Sequence, residues 1–321
     1  MTDSPSVCVL AATERGRRVL ERLLELAPNV RLTVFCFKED DEEPPFYDNI
    51  KSLVLNVQGR FYTAKNVGLP RYKHLWEEIG AVDVLLCVSW RFMVPEQIYK
   101  QVRIGSFVFH DSLLPAYRGF APTVWSIVNG ETNTGASLIT MSSEVDAGDI
   151  ISQKSVTIKP TDTIKEVMTA VTDTYIHILE QNLHSLLQNS FNRRPQVHAH
   201  ATYTVKRTRE DYLIDWTKSA LECYNLVRAS TTPYPGAFSY LDGKKHKILA
   251  ADLREPHRLA VDSPGRVYRC TTLAGCAGVS ICCGDHKCLF VQKVEVDGRI
   301  LEDEQLAALF KLSSTYKSSP H

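Results

Sequence analysis

Two residues that could exchange protons stand out in this sequence, a histidine and an aspartate. His110 closes the apolar, aromatic-rich segment 105–110 (GSFVFH), and Asp146 lies in the polar segment 142–149 (SSEVDAGD). Histidine titrates near neutral pH, so it can take up and release protons during a reaction. A carboxylate beside it would orient the imidazole and favour its protonated form. If the two side chains converge, they form an acid–base pair suited to acyl or proton transfer.

Each of these residues also has a purely structural interpretation. A histidine at the end of a strand is often structural, and an aspartate in a turn often hydrogen-bonds its own backbone. The spacing of His110 and Asp146 does not decide between the two interpretations, so the surrounding sequence must.

The pair requires a sheet to position it, and the sequence predicts one. Apolar runs at 6–12, 31–38 and 82–88 alternate with stretches of helical character such as 15–26. This alternation is typical of βαβ units and of a mainly parallel sheet. His110 is then expected at the carboxyl end of a strand, where open α/β sheets place their sites.

The first turn of the predicted sheet lacks the signature of a nucleotide cofactor. Residues 11–16 (AATERG) contain one glycine, whereas a dinucleotide-binding turn needs three spaced glycines. The phosphate-binding pattern GxxxxGK[ST] does not occur in the sequence. The sheet is therefore expected to serve another ligand.

The 321 residues exceed the size at which one core usually divides, so two domains are expected. A capping box at Thr163 and Glu166 starts a long helix, after which a polar segment without apolar periodicity follows. Short strands separated by turn signals such as Asp242-Gly243 then predict an OB-like barrel. The expected organisation is a Rossmann-like α/β catalytic domain over 1–190, a linker over 191–205 and a smaller β-rich domain over 206–321.

The amino-acid composition limits the classes of partner and the cellular location that can be expected. Basic and acidic residues both number 37, so no global field attracts nucleic acid or an anionic membrane surface. Neither a leader-like start nor an apolar run of ~18 residues is present, which predicts a cytoplasmic location. The nine scattered cysteines are expected to be reduced thiols.

A group of cysteines and one histidine near the carboxyl terminus could suggest zinc. Metal-binding cysteines usually come in CxxC pairs, whereas Cys282 and Cys283 are adjacent and would point to opposite faces of a strand. His198 and His200 share one face of a second segment, but no further ligand lies near them in the sequence. No metal site is expected from either group, the first of which comprises Cys276, Cys282, Cys283, His286 and Cys288.

The sequence around the two candidate residues is similar to that of a known enzyme family. The motif 110–119 (HDSLLPAYRG), with 146–149 (DAGD) behind it, resembles the formyltransferases that use 10-formyltetrahydrofolate. The similarity continues through 121–125 (APTVW) and 129–132 (NGET), and it reaches the second domain at 214–216 (IDW) and 233–238 (PYPGAF). Nearly the whole chain is covered, and the resemblance implies 10-formyltetrahydrofolate as the formyl donor.

The resemblance also implies roles for individual residues. His110 and Asp146 match the catalytic histidine and aspartate of the family. Motif residues expected to shape the substrate site are Ser112, Tyr117 and Arg118. Two segments match folate-contacting stretches, namely Phe92, Met93 and Val94, and Ser142, Ser143, Glu144, Val145 and Asp146.

One position departs from the family pattern. The family reads Asn-x-His, but this chain has Val108 two residues before His110, so one expected donor to the oxyanion is replaced by an apolar side chain. Loss of one such donor can cost on the order of 10² to 10³ in rate. The hydrolase domain of 10-formyltetrahydrofolate dehydrogenase also carries an aliphatic residue there, so hydrolysis of the donor is an alternative to transfer.

The formyl acceptor is expected to be a nucleotide-linked amino sugar. The segments 115–125 (PAYRGFAPTVW) and 233–240 (PYPGAFSY) are similar to those of amino-sugar formyltransferases, which also suggests a homodimer. A methionyl-tRNA formyltransferase would need basic surface to bind RNA, whereas an acidic run follows Lys38 over 39–43 (EDDEE). That run is either repulsive to phosphate or simply a solvated loop. A folate-binding protein without catalysis is the remaining alternative.

Overall fold

The structure, a computed structural model, describes residues 4–40, 43–68, 73–253, 263–273, 276–302, 305–306, 308, 314–317 and 319. The chain forms two compact units. The first comprises 1–122, 133–157 and 168–205, and the second comprises 123–132, 158–167 and 206–321. Segment 191–205 thus groups with the first unit, and two short segments of the N-terminal half group with the second. The domain limits expected from the sequence stay a prediction.

The first unit is built on one sheet. Its strands run in the order β3-β2-β1-β4-β5-β7-β8. The pairs from β3 to β5 are parallel, and β7 and β8 are antiparallel, which confirms the expected mainly parallel sheet. Residues of β1 and β4 are buried throughout, as in strands covered on both faces. The strands of this sheet are β1 Ser6–Ala11, β2 Arg31–Cys36, β3 Arg60–Thr63, β4 Val84–Val88, β5 Gly105–His110, β7 Asn133–Thr140 and β8 Ile150–Thr157. A separate two-stranded sheet consists of β6 Arg118–Gly119 and β9 Tyr203–Thr204.

Four helices connect consecutive parallel strands of this sheet, namely α1 Thr13–Leu26, α2 Tyr47–Asn56, α3 Lys73–Ile79 and α4 Glu96–Tyr99. Two more follow later in the described chain, α5 Pro122–Val128 and α6 Ile164–Leu187. Half of the predicted capping box of α6 is observed: the Thr163 N–H donates to the Glu166 carboxylate at 2.9 Å, whereas Thr163 Oγ1 accepts from the Lys165 N–H at 3.3 Å. Tyr175 of this helix is buried and stacks on Phe109 of β5, with ring centroids 5.0 Å apart. No described helix is both long enough and apolar enough to cross a membrane.

The second unit is rich in strands, as expected. Helix α7 (Ala220–Ser230) begins at a capping box of Ser219 and Glu222. The antiparallel strands run in the order β10-β11-β14-β13-β12, with β15 on β14. Asp242 and Gly243, both at positive φ, form the turn between β10 and β11. These strands are β10 Ala237–Leu241, β11 Lys244–Asp252, β12 Val267–Leu273, β13 Cys276–Cys282, β14 Cys288–Val296 and β15 Arg299–Glu302.

A short C-terminal segment joins the two edges of this sheet. The Lys317 N–H donates to the Tyr240 carbonyl on β10 at 2.7 Å, and the Val267 N–H of β12 donates to the Ser314 carbonyl at 2.8 Å. Both edge strands thereby gain backbone partners, which removes the open edges that favour aggregation. The strand-rich unit therefore closes on itself through residues 314–317.

Segment 191–205 is ordered by hydrogen bonds to the first unit. Arg194 bridges Ile150, and β9 pairs in parallel with β6. Its polar sequence gave no periodic signal because these contacts are backbone pairing and buried polar groups, not apolar packing.

Candidate active site

His110 is the last residue of β5 and lies at the carboxyl edge of the sheet. Its side chain is buried, and only 5% of the residue is exposed. The ring Nε2 is 2.8 Å from the Tyr117 carbonyl oxygen, and Nδ1 is 3.4 Å from Asp146 Oδ2. The structure therefore brings together the two residues that the sequence singled out.

Asp146 is held by a backbone N–H and by a side-chain amide from two directions. Its Oδ2 accepts a hydrogen bond from the Gly119 N–H at 2.8 Å. Its own carbonyl accepts from Gln196 Nε2 at 2.8 Å, and the same nitrogen donates to the Gly148 carbonyl at 2.7 Å. Asp146 adopts a positive φ of 51°, a conformation that is uncommon for a residue with a side chain. These bonds hold a strained backbone in place and aim the carboxylate at His110.

The groups around the imidazole of His110 determine which of its ring nitrogens carry hydrogen. A carbonyl oxygen can only accept, so His110 Nε2 must carry the hydrogen that reaches Tyr117. Nδ1 faces a carboxylate, which also accepts. A neutral ring satisfies one of these two contacts, whereas a doubly protonated ring satisfies both. The pair can therefore store one proton between His110 and Asp146.

The loop that follows His110 is fixed by hydroxyl groups. Ser112 is buried, and its Oγ donates to the Ala116 carbonyl at 2.6 Å. Ser137 Oγ donates to the Ser112 carbonyl at 2.6 Å, and Gln153 Nε2 donates to the Leu114 carbonyl at 2.8 Å. Ser112 therefore shapes the turn that presents the Tyr117 carbonyl to the histidine.

Arg118 is buried and turned away from His110. Only 1% of the residue is exposed, and its Nε and Nη2 donate to Gln196 Oε1 at 3.1 and 2.7 Å. Nη1 donates to the Tyr203 hydroxyl at 3.0 Å. Within the described ranges its guanidinium has no carboxylate partner, so it acts through Gln196 on the loop of Asp146. Gln196 lies in a polar segment without a recognisable motif, so its role could not be identified from the sequence.

A second ion pair lies next to His110. Asp111 Oδ2 is 3.4 Å from Arg15 Nη1, and the Arg15 guanidinium lies over the ring of Tyr175 at 4.9 Å. Burial, and then the charge of Asp111, raise the pKa of the Tyr175 hydroxyl well above its usual value. Tyr175 is therefore neutral at physiological pH, and its ring supports the Arg15–Asp111 pair.

The two segments expected to contact folate are linked through one apolar cluster, which includes Val94 of the first and Met141, the residue before the second. Val94 is buried in a cluster that also receives Met141 and Val108, and Phe92 meets Phe37 edge-on at 5.4 Å. Met93 is 54% exposed. Of the second segment, Ser142 Oγ donates to the Glu144 carbonyl at 2.8 Å, and the exposed residues are Ser143, Glu144 and Val145.

Two polar groups beside Phe92 were not predicted as site residues. Ser89 Oγ and Trp90 Nε1 are buried and have no hydrogen-bond partner in the described part of the chain. Ser89 also has a positive φ of 54°. Unsatisfied buried polar atoms are rare in folded proteins, so this turn after β4 carries strain at the site's edge. A serine following an apolar run gave no distinguishing signal in the sequence.

Val108 lies in apolar surroundings. On β5 it alternates with Phe109 and shares a face with His110. Besides Val94 and Met141, its neighbours are Leu114, Ile139 and Ile150. The position therefore contributes packing, and no polar group of residue 108 reaches the site.

Replacing Gly119 by alanine is expected to impair turnover of the formyl donor that the sequence resemblance implies by about 10- to 100-fold, because small displacements of catalytic groups carry costs of that size. Gly119 has a φ of 103°, and an added Cβ would lie 2.3 Å from the Thr204 carbonyl oxygen. Relief of that collision would displace the N–H that holds Asp146. The measurement is kcat for donor consumption.

Gly80→Ala is the matched control, since Gly80 has a φ of 76° and no atom within 4 Å of an added Cβ. It introduces the same kind of backbone strain without the collision. Equal activity losses in the two variants would contradict the positioning role of Gly119.

No metal centre is present among the described side chains: no group of three or more histidine, cysteine, aspartate or glutamate residues is placed to hold an ion. His198 Nδ1 lies 3.2 Å from Arg118 Nη2, and His200 is exposed. The side chain of Cys276 lies outside the described residues.

The acidic run after β2 is partly paired. Asp40 lies 3.7 Å from Lys65 Nζ, and Glu43 forms an ion pair with Arg91. Residues 41–42 of the run lie outside the described residues. Two of its carboxylates thus have cationic partners within the first unit.

Comparison with known proteins shows which family this chain belongs to. Residues 29–183 match the model of the formyl transferase family, and residues 206–308 match its C-terminal domain. The chain is 34% identical over 239 residues to the bifunctional polymyxin resistance protein ArnA of Wigglesworthia glossinidia brevipalpis. That alignment covers 74% of this chain but 36% of the relative, so the chain spans about a third of the relative's length.

Solved structures share the fold. An N-formyltransferase from Helicobacter canadensis, crystallised with folinic acid and dTDP-3-aminofucose, superimposes with a TM-score of 0.64 at 17% identity, covering 90% of this chain and 99% of that one. A sugar N-formyltransferase from a Shewanella species gives a TM-score of 0.62 at 20% identity, covering 78% and 99%. With both domain models matched along most of its length, the chain belongs to the formyl transferase family.

Proposed function

We propose that this chain moves a formyl group from 10-formyltetrahydrofolate to the amine of a nucleotide-linked amino sugar. The observation that carries the proposal is the buried His110–Asp146 pair at the carboxyl edge of the sheet, with Asp146 Oδ2 held by the Gly119 N–H. Asp146 itself belongs to one of the two segments matched to folate contacts, and Val94 of the other packs in a cluster with Val108. Sugar N-formyltransferases among the similar structures support the choice of acceptor.

The reaction needs one proton to be held between two steps. The amine nitrogen attacks the formyl carbon, a C–N bond forms, and the carbonyl electrons move onto oxygen. The intermediate then collapses, the bond from the formyl carbon to N10 breaks, and N10 takes up a proton. Because the amine loses one proton and N10 gains one, the His110–Asp146 pair has only to store a proton during the intermediate's lifetime.

Each residue then has a defined part in this proposal. His110 accepts the amine proton, and Asp146 orients the ring and stabilises the imidazolium. The Nδ1–Oδ2 distance is 3.4 Å, which is longer than an ordinary hydrogen bond. The oxyanion has to be stabilised by His110, backbone N–H groups or bound water, since Val108 offers no donor.

The test uses purified chain, 10-formyltetrahydrofolate and a panel of UDP-, dTDP- and GDP-linked amino sugars. Tetrahydrofolate release is followed alongside the mass of the sugar product. We expect one sugar to gain a single formyl group. Formate release at the same rate with and without amino sugar would instead establish hydrolysis of the donor.

Hydrolysis of 10-formyltetrahydrofolate is a second candidate function, because Val108 replaces the oxyanion donor of the family pattern. Val108→Asn is expected to raise formyl transfer by about tenfold or more, up to the 10² to 10³ that one oxyanion donor contributes. The same change buries an amide among Leu114, Ile139 and Ile150, so the melting temperature should fall, with a cost of about 1–3 kcal/mol. Val108→Leu is the control of similar size without a donor. Unchanged transfer in Val108→Asn would mean that another group already fills the oxyanion role.

Two alternative functions and two further expectations stay open to direct measurement. A methionyl-tRNA substrate is disfavoured by the balanced charge of the chain, and a non-catalytic folate-binding protein would bind donor without turnover of any amine. A homodimer and a cytoplasmic location remain predictions.

A further inference from the structure

The cysteines of β13 and β14, which the proposed function leaves without a role, form a cross-strand pair. Cys282 ends β13, Cys288 begins β14, and the two residues are direct partners in the antiparallel register. Both are buried, at 0% and 3% exposure. Among the described residues they form a hydrophobic cluster of their own.

Backbone hydrogen bonds identify the type of this pair. The Cys282 N–H donates to the Arg266 carbonyl, and the Cys282 carbonyl accepts from the Gly265 N–H, both at 2.9 Å. Both backbone groups of Cys282 thus point away from β14. Cys282 and Cys288 are therefore a non-hydrogen-bonded pair, the type whose Cα atoms lie about 4.5 Å apart and whose side chains are closest.

That separation falls inside the range of about 4.4–6.8 Å in which two cysteines can be bridged without backbone movement. The neighbouring Cys283 does not compete for the same partner, because its side chain belongs to the opposite face and lies in the main core of the unit with Cys223. The turn that connects the two cysteines, residues 284–287, is largely exposed.

We propose that Cys282 and Cys288 are a modification site that closes to an intramolecular disulfide under a small diazene or disulfide oxidant. With diamide, one thiolate adds to the N=N bond, and the second thiol attacks that sulfur and releases the reduced hydrazine. One S–S bond forms, two S–H bonds are lost, and diamide takes up two electrons and two protons. The proposal does not depend on formyl transfer.

Peptide mapping separates the two cysteines. Trypsin cleaves after Arg269, Lys287 and Lys293, so Cys288 is the only cysteine of peptide 288–293, whereas Cys282 lies in peptide 270–287. After native chain is treated with diamide and free thiols are alkylated, we expect free peptide 288–293 to be lost and to appear linked to 270–287. The same sample after reduction should return the free peptide.

Adjacent variants provide matched controls. Cys282→Ser should abolish the linkage, whereas Cys283→Ser should retain it, and melting curves confirm that each variant is folded. A denatured sample establishes a diamide dose that oxidises accessible thiols. Linkage that persists in Cys282→Ser, or free peptide 288–293 that survives this dose in the native chain, overturns the proposal.

The reaction should accelerate with pH. The pKa of the Cys288 thiol is raised to about 12. Burial is the largest cause, and the neighbouring Cys282, Cys283 and Asp285 also contribute. Only the thiolate attacks, so its small population and the linkage rate should grow about tenfold per pH unit between pH 7 and 9. A rate that does not change with pH would contradict thiolate attack within this pair.

Discussion

His110→Ala is expected to lower kcat for formyl transfer by about 10² to 10⁴, the range that a positioned acid–base group contributes. The variant removes the nitrogen that faces Asp146 and the N–H that reaches the Tyr117 carbonyl. The amine would then lose its proton to solvent, and N10 would have to find another donor. The measurement is the initial rate of tetrahydrofolate release with the accepted amino sugar.

Stability has to be measured beside activity in this variant. His110 is buried, and its loss leaves the Tyr117 carbonyl without its donor, at a cost of about 1–3 kcal/mol. His110→Gln, which retains a donor, separates the two effects because it should fold more stably yet remain slow. His200→Ala, at an exposed position, is the control. Full activity in folded His110→Ala would remove histidine from the mechanism.

Asp146→Asn is expected to reduce kcat by on the order of 10³ to 10⁴, as when a neutral amide replaces the carboxylate that orients a catalytic histidine. The amide can still accept from the Gly119 N–H, so the loop of Asp146 is retained. It no longer stabilises an imidazolium, and its NH₂ group, if turned toward His110, would donate to Nδ1 and occupy the lone pair that has to take up the proton. Donor binding should change little, so the loss should appear in kcat and not in KM.

Asp149→Asn is the matched control because it changes the other aspartate of the same motif. Asp149 is 3.6 Å from Arg193 and its side chain is 37% exposed, so it should keep near-normal rates. A loss of equal size in both variants would indicate that the motif tolerates no neutral substitution, and the assignment of Asp146 as the orienting residue would fail.

The sequence by itself determined the architecture and the two central residues. Apolar runs such as β1 and β4, buried at every residue, are visible from sequence because strands covered on both faces must be continuously apolar. The capping box at Thr163 and Glu166 is equally local. His110 and Asp146 were identifiable because their motifs place fixed residue types in a fixed local order.

Only the tertiary structure decided how the site is held. Gln196 links Arg118 to the carbonyls of Asp146 and Gly148, yet it lies in a polar segment with no periodicity. Such contacts join residues far apart in the chain through single buried hydrogen bonds, which leave no repeating pattern in the sequence. The same reason applies to the position of hydrogen on the His110 ring, since it depends on the Tyr117 carbonyl. Every residue has a carbonyl group, and only the fold decides which one points at the histidine.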